Sequence, residues 1–379
     1  MPAQIGYVDN TGSEGYAHWQ MLLAIHHFAG GYGTLAAPVF AGTGTGSLTK
    51  LDTHPATVTE TWTIQCTSVP SVGNETWSVT GSVSGAQAAA TTGVAYDNGL
   101  IAFTVAAGGT AFAVGDKFTV AATQGALSAI GRAWTILRYV NPNDITQNRE
   151  LILQGSGLSG TEQIFIGLRT YQSVSADYYN LSVAGFTGYV AGQAFTSQPG
   201  YRESGVCAHN LRIDYWLACN GQRVFFALKV GTPVYEVGYV GKFLPYGTPS
   251  QYPYPLAVIG TLNGVPATRY SDTTHTSGVK GGNQPQGAVR DVMGNWQQFY
   301  NVPYAVNAAS RRPAGNTYKA MKSVLYNASN IWGELDGIRF ITGFNNVVEN
   351  TTVLNGNNQV VIQDVFRTGL GDYFLLEMA

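Results

Sequence analysis

The stretch DYWLACNGQRVFFALK, from Asp214 to Lys229, most clearly decides the fold. Two runs of aromatic and aliphatic residues flank the pair Asn220-Gly221. Such a pair accepts the positive φ angles of a type I′ turn, whose twist matches that of the strands it joins. The stretch therefore predicts an antiparallel β-hairpin, and with it a fold built on antiparallel sheets.

Further strands are predicted on both sides of the hairpin, because short apolar runs alternate there with turn residues. They are residues 133–139, 149–154, 163–169, 235–239, 337–341 and 359–363. Four prolines between residues 245 and 255 predict an extended path outside the sheets. Asn263–Gln298 is polar and is predicted to be a loop. No regular alternation of strands and helices appears, which argues against a parallel α/β fold.

Three parts are predicted along the chain. Residues 1–56 hold a helix, capped by Ser13 and ended by Gly30-Gly31, and a linker with the flexible stretch Gly42–Gly46; they belong to the main unit. Residues 57–125, rich in Thr, Val and Gly, form a small inserted all-β module of the sandwich type. Residues 126–379 form a larger, aromatic-rich antiparallel β unit with a few helices. The predicted fold class is mainly β.

The C-terminal stretch is apolar almost to its last residue, which is unusual because a free chain end is normally polar and loose. Val360–Met378 is therefore predicted to be a buried strand pair, covered by its own domain or by a neighbouring copy. We interpret a terminus that must be covered as typical of a subunit in an assembly.

Charged residues make up 11% of the chain, against about 25% in an ordinary soluble domain. With 47 Gly and 22 Tyr, the surface must consist largely of weakly solvated groups suited to stacking against other protein. This composition favours a structural subunit or an adhesin over a cytosolic enzyme. The net charge is −2 and no basic run appears, so no nucleic-acid partner is predicted.

The three cysteines, Cys66, Cys207 and Cys219, have neither disulfide nor zinc-motif spacing and are predicted to be reduced, half-buried thiols. The start lacks a signal-peptide pattern, and no apolar run approaches the ~20 residues that span a bilayer. Folding in a reducing cytoplasm and no membrane association are therefore expected.

No catalytic, cofactor-binding or metal-binding residues are predicted, and the chain is not expected to be an enzyme. Gly155–Gly160 lacks the spacing of a serine-nucleophile elbow, and in Gly42–Lys50 the lysine comes too late for a phosphate-binding loop. The histidines are expected to be polar caps and interface contacts, since adjacent His26 and His27 cannot chelate one ion; they are His18, His26, His27, His54, His209 and His275. Four carboxylates could in principle form a glycosidase pair, although Asp336-Gly337 is more simply a turn before a strand; they are Glu334, Asp336, Glu349 and Asp364.

Several segments resemble a recurring class of tailed-bacteriophage virion proteins. They are Trp134–Tyr139, Arg149–Gly155, Gly160–Tyr171, the 214–229 hairpin, Gly241–Leu256 and the end of the chain from Leu335-Asp336-Gly337 through Asp364–Gly369. The resemblance covers most of residues 13–30 and 133–379, and the Thr-rich insertion is similar to small β modules of phage structural proteins.

The resemblance implies a place in the virion, in the tail or its baseplate, and no catalytic residues. We expect a symmetric oligomer, assembled in the bacterial host cytoplasm, whose partners are further copies and other virion proteins. One alternative is a tail adhesin that binds a host-surface glycan or receptor, with loops such as Asn263–Gln298 as its recognition surface. A capsid decoration protein is the other.

Overall fold

The computed structural model describes residues 1–11, 14–157, 161–272, 275–280, 286–302, 320–343 and 347–378. The chain divides into two compact units, unit 1 of Met1–His26 and Trp134–Ala379 and unit 2 of His27–Ala133. The described residues are mainly antiparallel β with two α-helices, which confirms the predicted fold class.

The elements of the N-terminal third include both α-helices, α1 and α2. In chain order they are β1 Ala3–Val8, α1 Ala17–Gly30, β2 Thr34–Leu35, β3 Val39–Ala41, β4 Ser47–Thr53, β5 Glu60–Ser68, β6 Thr76–Gly81, β7 Gly85–Ala86, β8 Ala90–Thr91, β9 Ala95–Asp97, β10 Ile101–Ala106, β11 Lys117–Thr123 and α2 Ala126–Ala129.

The remaining elements are strands and three short 3₁₀ turns, at Phe195–Ser197, Pro249–Gln251 and Gly278–Lys280. The strands are β12 Thr135–Val140, β13 Glu150–Gly155, β14 Ile164–Ser173, β15 Tyr178–Phe186, β16 Arg202–Val206, β17 Ile213–Cys219, β18 Arg223–Gly231, β19 Val234–Lys242, β20 Leu244–Pro245, β21 Leu256–Ile259, β22 Gly287–Arg290, β23 Trp296–Gln297, β24 Tyr300–Val302, β25 Met321–Tyr326, β26 Ile331–Phe340, β27 Thr351–Leu354, β28 Asn357–Gln363 and β29 Tyr373–Glu377.

Unit 2 is a small β-sandwich. A three-stranded sheet, β4-β10-β9, and a seven-stranded sheet around β2-β11-β5-β6-β7 enclose a core that includes Trp62, Trp77 and Phe103. Strands β5, β6, β10 and β11 bury every second residue over most of their length, as the alternation of apolar and polar residues predicted. The unit begins earlier than the predicted module of residues 57–125, because β4 lies in the supposed linker and pairs with β10.

The segment Gly42–Gly46 is an ordered loop around a carboxylate rather than a flexible stretch. Asp116 accepts hydrogen bonds from the backbone N–H groups of Thr43, Gly44 and Ala113, each at 3.0 Å. A side chain at Gly42 would come within 2.3 Å of the same carboxylate, so glycine is needed for this close approach. The glycine-rich segment thus binds the carboxylate of Asp116 through its backbone N–H groups.

Within its described residues, unit 1 contains three antiparallel sheets. The middle sheet has the order β1-β17-β18-β19-β21-β22-β23, the first outer sheet runs β12-β13-β14-β15-β16, and the C-terminal sheet is β24-β25-β26-β29-β28-β27 with β20 on β26. One core joins the middle and C-terminal sheets. Strands β14–β16 contact β19 and β21 from the opposite side. The middle sheet is therefore covered on both faces.

The 214–229 hairpin is confirmed, as β17 and β18 pair in register from Asp214↔Lys229 to Cys219↔Val224. Its turn differs from the predicted type. Asn220 N donates to the carbonyl of Arg223, and of the residues between them only Gly221 has a positive φ, of 72°. A type I′ turn requires positive φ at both central residues, so this turn is not of that type. The hydrogen bond between Asn220 and Arg223 places its central residues at Gly221 and Gln222, one residue later than expected.

The predicted N-terminal helix is present as α1 but begins at Ala17, and its expected cap Ser13 lies outside the described residues. Its apolar residues Trp19, Leu22 and Ile25 are buried, as expected. Among the described residues, no helix is both long and apolar enough to cross a membrane.

Two segments that were expected to lie outside the sheets contribute to them. Leu244–Pro245 pairs with β26, so the proline-rich path is in part a strand. The supposed loop Asn263–Gln298 contains β22 and β23, and its residues His275 and Val279 are buried. Proline is tolerated at Pro245 because β20 is only two residues long and lies off the main path of its sheet.

The C-terminal stretch is buried as predicted. Strand β29 lies between β26 and β28, and its residues from Tyr373 to Leu376 are at most 7% exposed. The cover comes from the chain itself, so the apolar terminus no longer argues for an assembly.

Replacing Phe374 by alanine should lower the free energy of unfolding of unit 1 by about 3–5 kcal/mol, because this ring is fully buried between two sheets. The matched control is Leu370→Ala, where the side chain is 37% exposed and the expected change is within about 0.5 kcal/mol. Urea unfolding followed by pulsed hydrogen exchange measures both. Equal losses in the two variants would contradict the burial of β29.

The Asp116 loop should make unit 2 sensitive to acid. Burial alone raises the pKa of Asp116, but the hydrogen bonds from Ala113, Thr43 and Gly44 outweigh it and lower the pKa below its ordinary value of 3.8. The stabilisation is therefore present above about pH 3.8 and is lost as the pH falls through the lowered pKa.

Asp116→Asn is expected to destabilise unit 2 by about 1–3 kcal/mol at neutral pH and to reduce its loss of stability in acid. Urea titrations from neutral pH to well below pH 3.8, read by hydrogen exchange in residues 27–133, provide the measurement. Asp52→Asn, an exposed aspartate of the same unit, is the control. An unchanged pH dependence in Asp116→Asn would refute this role.

Candidate functional site

Three buried side chains with metal-ligating atoms meet in unit 1. Cys207 follows β16, Glu236 lies near the beginning of β19, and His275 precedes the 3₁₀ turn Gly278–Lys280. Their candidate donor atoms all lie within 4.8 Å of one another. Their side chains are almost completely removed from solvent.

Burial and the contact between Glu236 and His275 together set the electrostatics of this cluster. Nδ1 of His275 lies 2.9 Å from Oε1 of Glu236. Burial lowers the pKa of His275, but the contact with Glu236 outweighs it and the net pKa is raised. Burial, aided by the negative charge of Glu236, raises the pKa of the Cys207 thiol, and its S–H donates to the carbonyl of Thr268 at 3.6 Å.

A buried asparagine holds together the two chain segments that lead into the cluster. Asn180 on β15 donates to the carbonyl of Thr268 at 2.8 Å and accepts from the backbone N–H of Ala208 at 2.9 Å. Because its side chain is fully buried, both bonds are shielded from water. The same segments continue into a surface pocket.

This surface pocket has a volume of about 360 Å³. It combines aromatic, charged and amide side chains, and its lining residues are Asp177, Tyr179, His209, Asn210, Leu211, Arg269, Tyr270 and Ser271. Three of them belong to the segment Asn263–Gln298 that the sequence suggested as a recognition loop. Aromatic faces beside hydrogen-bonding groups suit a ligand with both apolar and polar surfaces.

A second pocket, of about 240 Å³, lies in an exposed apolar area. We call Val292, Met293 and Ile331 the apolar patch; they line this pocket and are 55%, 81% and 65% exposed. Tyr252 and Trp332, both buried, line the same pocket. Large apolar side chains clustered on a surface are typical of protein-interaction sites.

The four carboxylates considered for glycoside cleavage are each held by a cation. The pairs are Glu334–Lys322 at 2.9 Å, Asp336–Arg223 at 2.8 Å, Glu349–Lys229 at 2.6 Å and Asp364–Lys280 at 3.5 Å. Asp336-Gly337 is not a turn before a strand: it lies within β26, where the register with β25 is interrupted. A side chain at Gly337 would come within 2.2 Å of the Arg223 guanidinium.

Most of the histidines are buried and are therefore not exposed polar caps. Four of them are buried, namely His18, His26, His209 and His275. His26 stacks on Tyr139 and His27 stacks on Tyr32, so the two neighbours have different partners, as expected. Burial lowers the pKa of His18 to about 3.

The cysteines are free thiols, as predicted, but they are fully rather than half buried. Cys219 accepts a hydrogen bond from Nε1 of Trp134 at 3.0 Å. The expected loop Gly155–Gly160 lies partly outside the described residues, which end at Gly157 and resume at Thr161.

The Cys207–Glu236–His275 cluster is not predicted from the sequence, because its members are far apart along the chain and no local spacing relates them. One signal was available. Glu236 is a lone carboxylate inside an otherwise apolar strand, and such a charge requires a partner when the strand is buried on both faces.

Comparisons with protein-family models and with curated proteins found no match. Among solved structures, two crystal forms of Xanthomonas campestris FlgL align with 19% and 17% identity and TM-scores of 0.19 and 0.18. The alignments cover 26% and 27% of this chain and 32% and 34% of FlgL, so this chain matches about a third of that protein's length. Similarity at this level carries no argument about fold or function.

Proposed function

We propose that this chain is a structural component of a tailed-phage virion, in the tail or baseplate, where it assembles as a symmetric oligomer. The observation that carries the proposal is the apolar patch on a molecule with few charges. A large exposed side chain such as Met293, at 81%, is expected to become buried when the chain meets its partner. A second copy of this chain is the partner to which we commit.

The distribution of charges supports this proposal. Only 11% of the residues are charged, and several of these charges are held inside the molecule. Arg223 and Lys242 are almost fully buried and pair with Asp336 and Glu162. The surface that remains offers little charge repulsion and little desolvation cost against a neighbouring subunit.

A tail adhesin that binds a host-surface glycan is the second candidate, and the 360 Å³ pocket favours it. Tyr270 offers a partly exposed ring, while Arg269 and Asp177 are exposed charged groups of the same pocket. Sugar rings stack on tyrosine, and their hydroxyl groups accept hydrogen bonds from an arginine and donate hydrogen bonds to an aspartate. The two candidates use different surfaces and can be tested separately.

Replacing Met293 or Ile331 by lysine should weaken self-association at least about tenfold, which corresponds to about 1.4 kcal/mol, because a charge would have to be desolvated at the interface. Sedimentation of the purified chain measures association, and mass spectrometry of purified virions measures incorporation. Val174→Lys is the matched control, since Val174 is also apolar and 53% exposed but does not line either pocket described above.

Antibody against unit 2 should label the tail or baseplate of purified particles in electron micrographs. Label on the capsid, or absence of the chain from virions, would refute the tail assignment. If the patch variants enter virions normally while Arg269→Ala abolishes competition by the purified protein for host adsorption, the adhesin candidate replaces the structural one.

A further inference from the structure

We propose that Cys207, Glu236 and His275 form a buried zinc-binding site within unit 1. The proposal concerns a site that neither the virion function nor the surface pockets require. Thiolate sulfur, carboxylate oxygen and imidazole nitrogen are the three kinds of ligand that zinc uses in proteins. Magnesium and calcium, in contrast, prefer oxygen ligands alone.

The geometry fits an ion of this size. Tetrahedral zinc with its usual bond lengths places its sulfur, nitrogen and oxygen ligands about 3.4–3.6 Å apart. The donor atoms of the cluster all lie within 4.8 Å of one another, and Nδ1 of His275 is 2.9 Å from Oε1 of Glu236. Small side-chain rotations are therefore sufficient, and a water or a backbone oxygen would supply the fourth ligand.

The backbone around each ligand is already fixed. Cys207 N donates to Oγ1 of Thr261 at 3.2 Å, and the carbonyl of His275 accepts from Nη1 of Arg367 at 3.0 Å. Glu236 lies in register with Leu228, close to the turn of the hairpin β18–β19. A metal site needs ligands held in this way, because otherwise ordering them costs binding free energy.

Charge balance provides an independent argument. The carboxylate of Glu236 is completely buried, and its Oε2 makes no hydrogen bond to any described residue. An unsatisfied buried carboxylate oxygen is costly. A divalent zinc bound by one carboxylate, one thiolate and one neutral imidazole has no net charge, so it would satisfy this oxygen without leaving a charge in the core.

The alternative is that the cluster binds no metal ion. In that case Glu236 and a protonated His275 form a buried ion pair, and the Cys207 thiol remains a hydrogen-bond donor to the carbonyl of Thr268. This alternative leaves Oε2 of Glu236 unsatisfied and gives Cys207 no role in the ion pair. The two possibilities therefore differ in whether Cys207 and Glu236 bind the same ion.

The test uses the full chain produced in zinc-supplemented medium, with metal content measured by mass spectrometry. We expect about one zinc per chain in the wild type and less than about a tenth of that in Cys207→Ser, Glu236→Gln and His275→Gln. Removal of zinc by a chelator should lower the unfolding temperature of the wild type, and added zinc should restore it.

Cys219→Ser is the matched control, because Cys219 is also a fully buried cysteine of unit 1 but lies outside the cluster. It should retain the zinc of the wild type. Chelated wild type reconstituted with cobalt should show a thiolate-to-cobalt absorption band, a readout that does not depend on whether any variant folds. A wild type that holds no zinc and shows no such band, or ligand variants that hold as much zinc as Cys219→Ser, would overturn the proposal.

Discussion

The structure of unit 1 depends on one constraint, that a sheet buried on both faces must neutralise every charge it carries. The three central strands β17, β18 and β19 contain five charged residues, and each has a titratable partner within 4.0 Å. Arg223–Asp336 and Lys242–Glu162 are pairs with a buried cation, Lys229–Glu349 is partly exposed, Asp214–Arg212 lies at the surface, and Glu236 contacts His275 in the proposed zinc site. Breaking a buried pair by removing one partner typically costs about 3–5 kcal/mol, so Asp336 and Glu162 tie the middle sheet to the chain around it.

The same constraint links the fold to the proposed function. Asp336 and Glu349 come from the C-terminal part of the chain, and Glu162 precedes β14 of the first outer sheet. Charges that join layers inside the unit are unavailable to solvate its surface, and the chain has few others. The exterior is thus left to small polar, aromatic and apolar groups, among them the apolar patch. A surface of this kind is favourable for contact with other protein.

Much of the β structure could be predicted because it follows local rules. The hairpin of β17 and β18 and the strands of unit 2 follow from alternation and turn residues alone. The features that were not predicted depend on contacts between distant residues. The glycine-rich loop is ordered by Asp116, the irregularity of β26 at Gly337 accommodates Arg223, and the candidate metal cluster joins three separate segments. No local pattern identifies such partners.

The most direct measurement of the central constraint is native-state hydrogen exchange of the full chain, resolved by peptide. If the ion-paired middle sheet holds unit 1 together, the amides of β17, β18 and β19 should be the last of that unit to exchange, at the rate of global unfolding. The edge strands β12 and β27 should exchange earlier through local opening. Exchange of β17–β19 as fast as that of β12 and β27 would contradict the account.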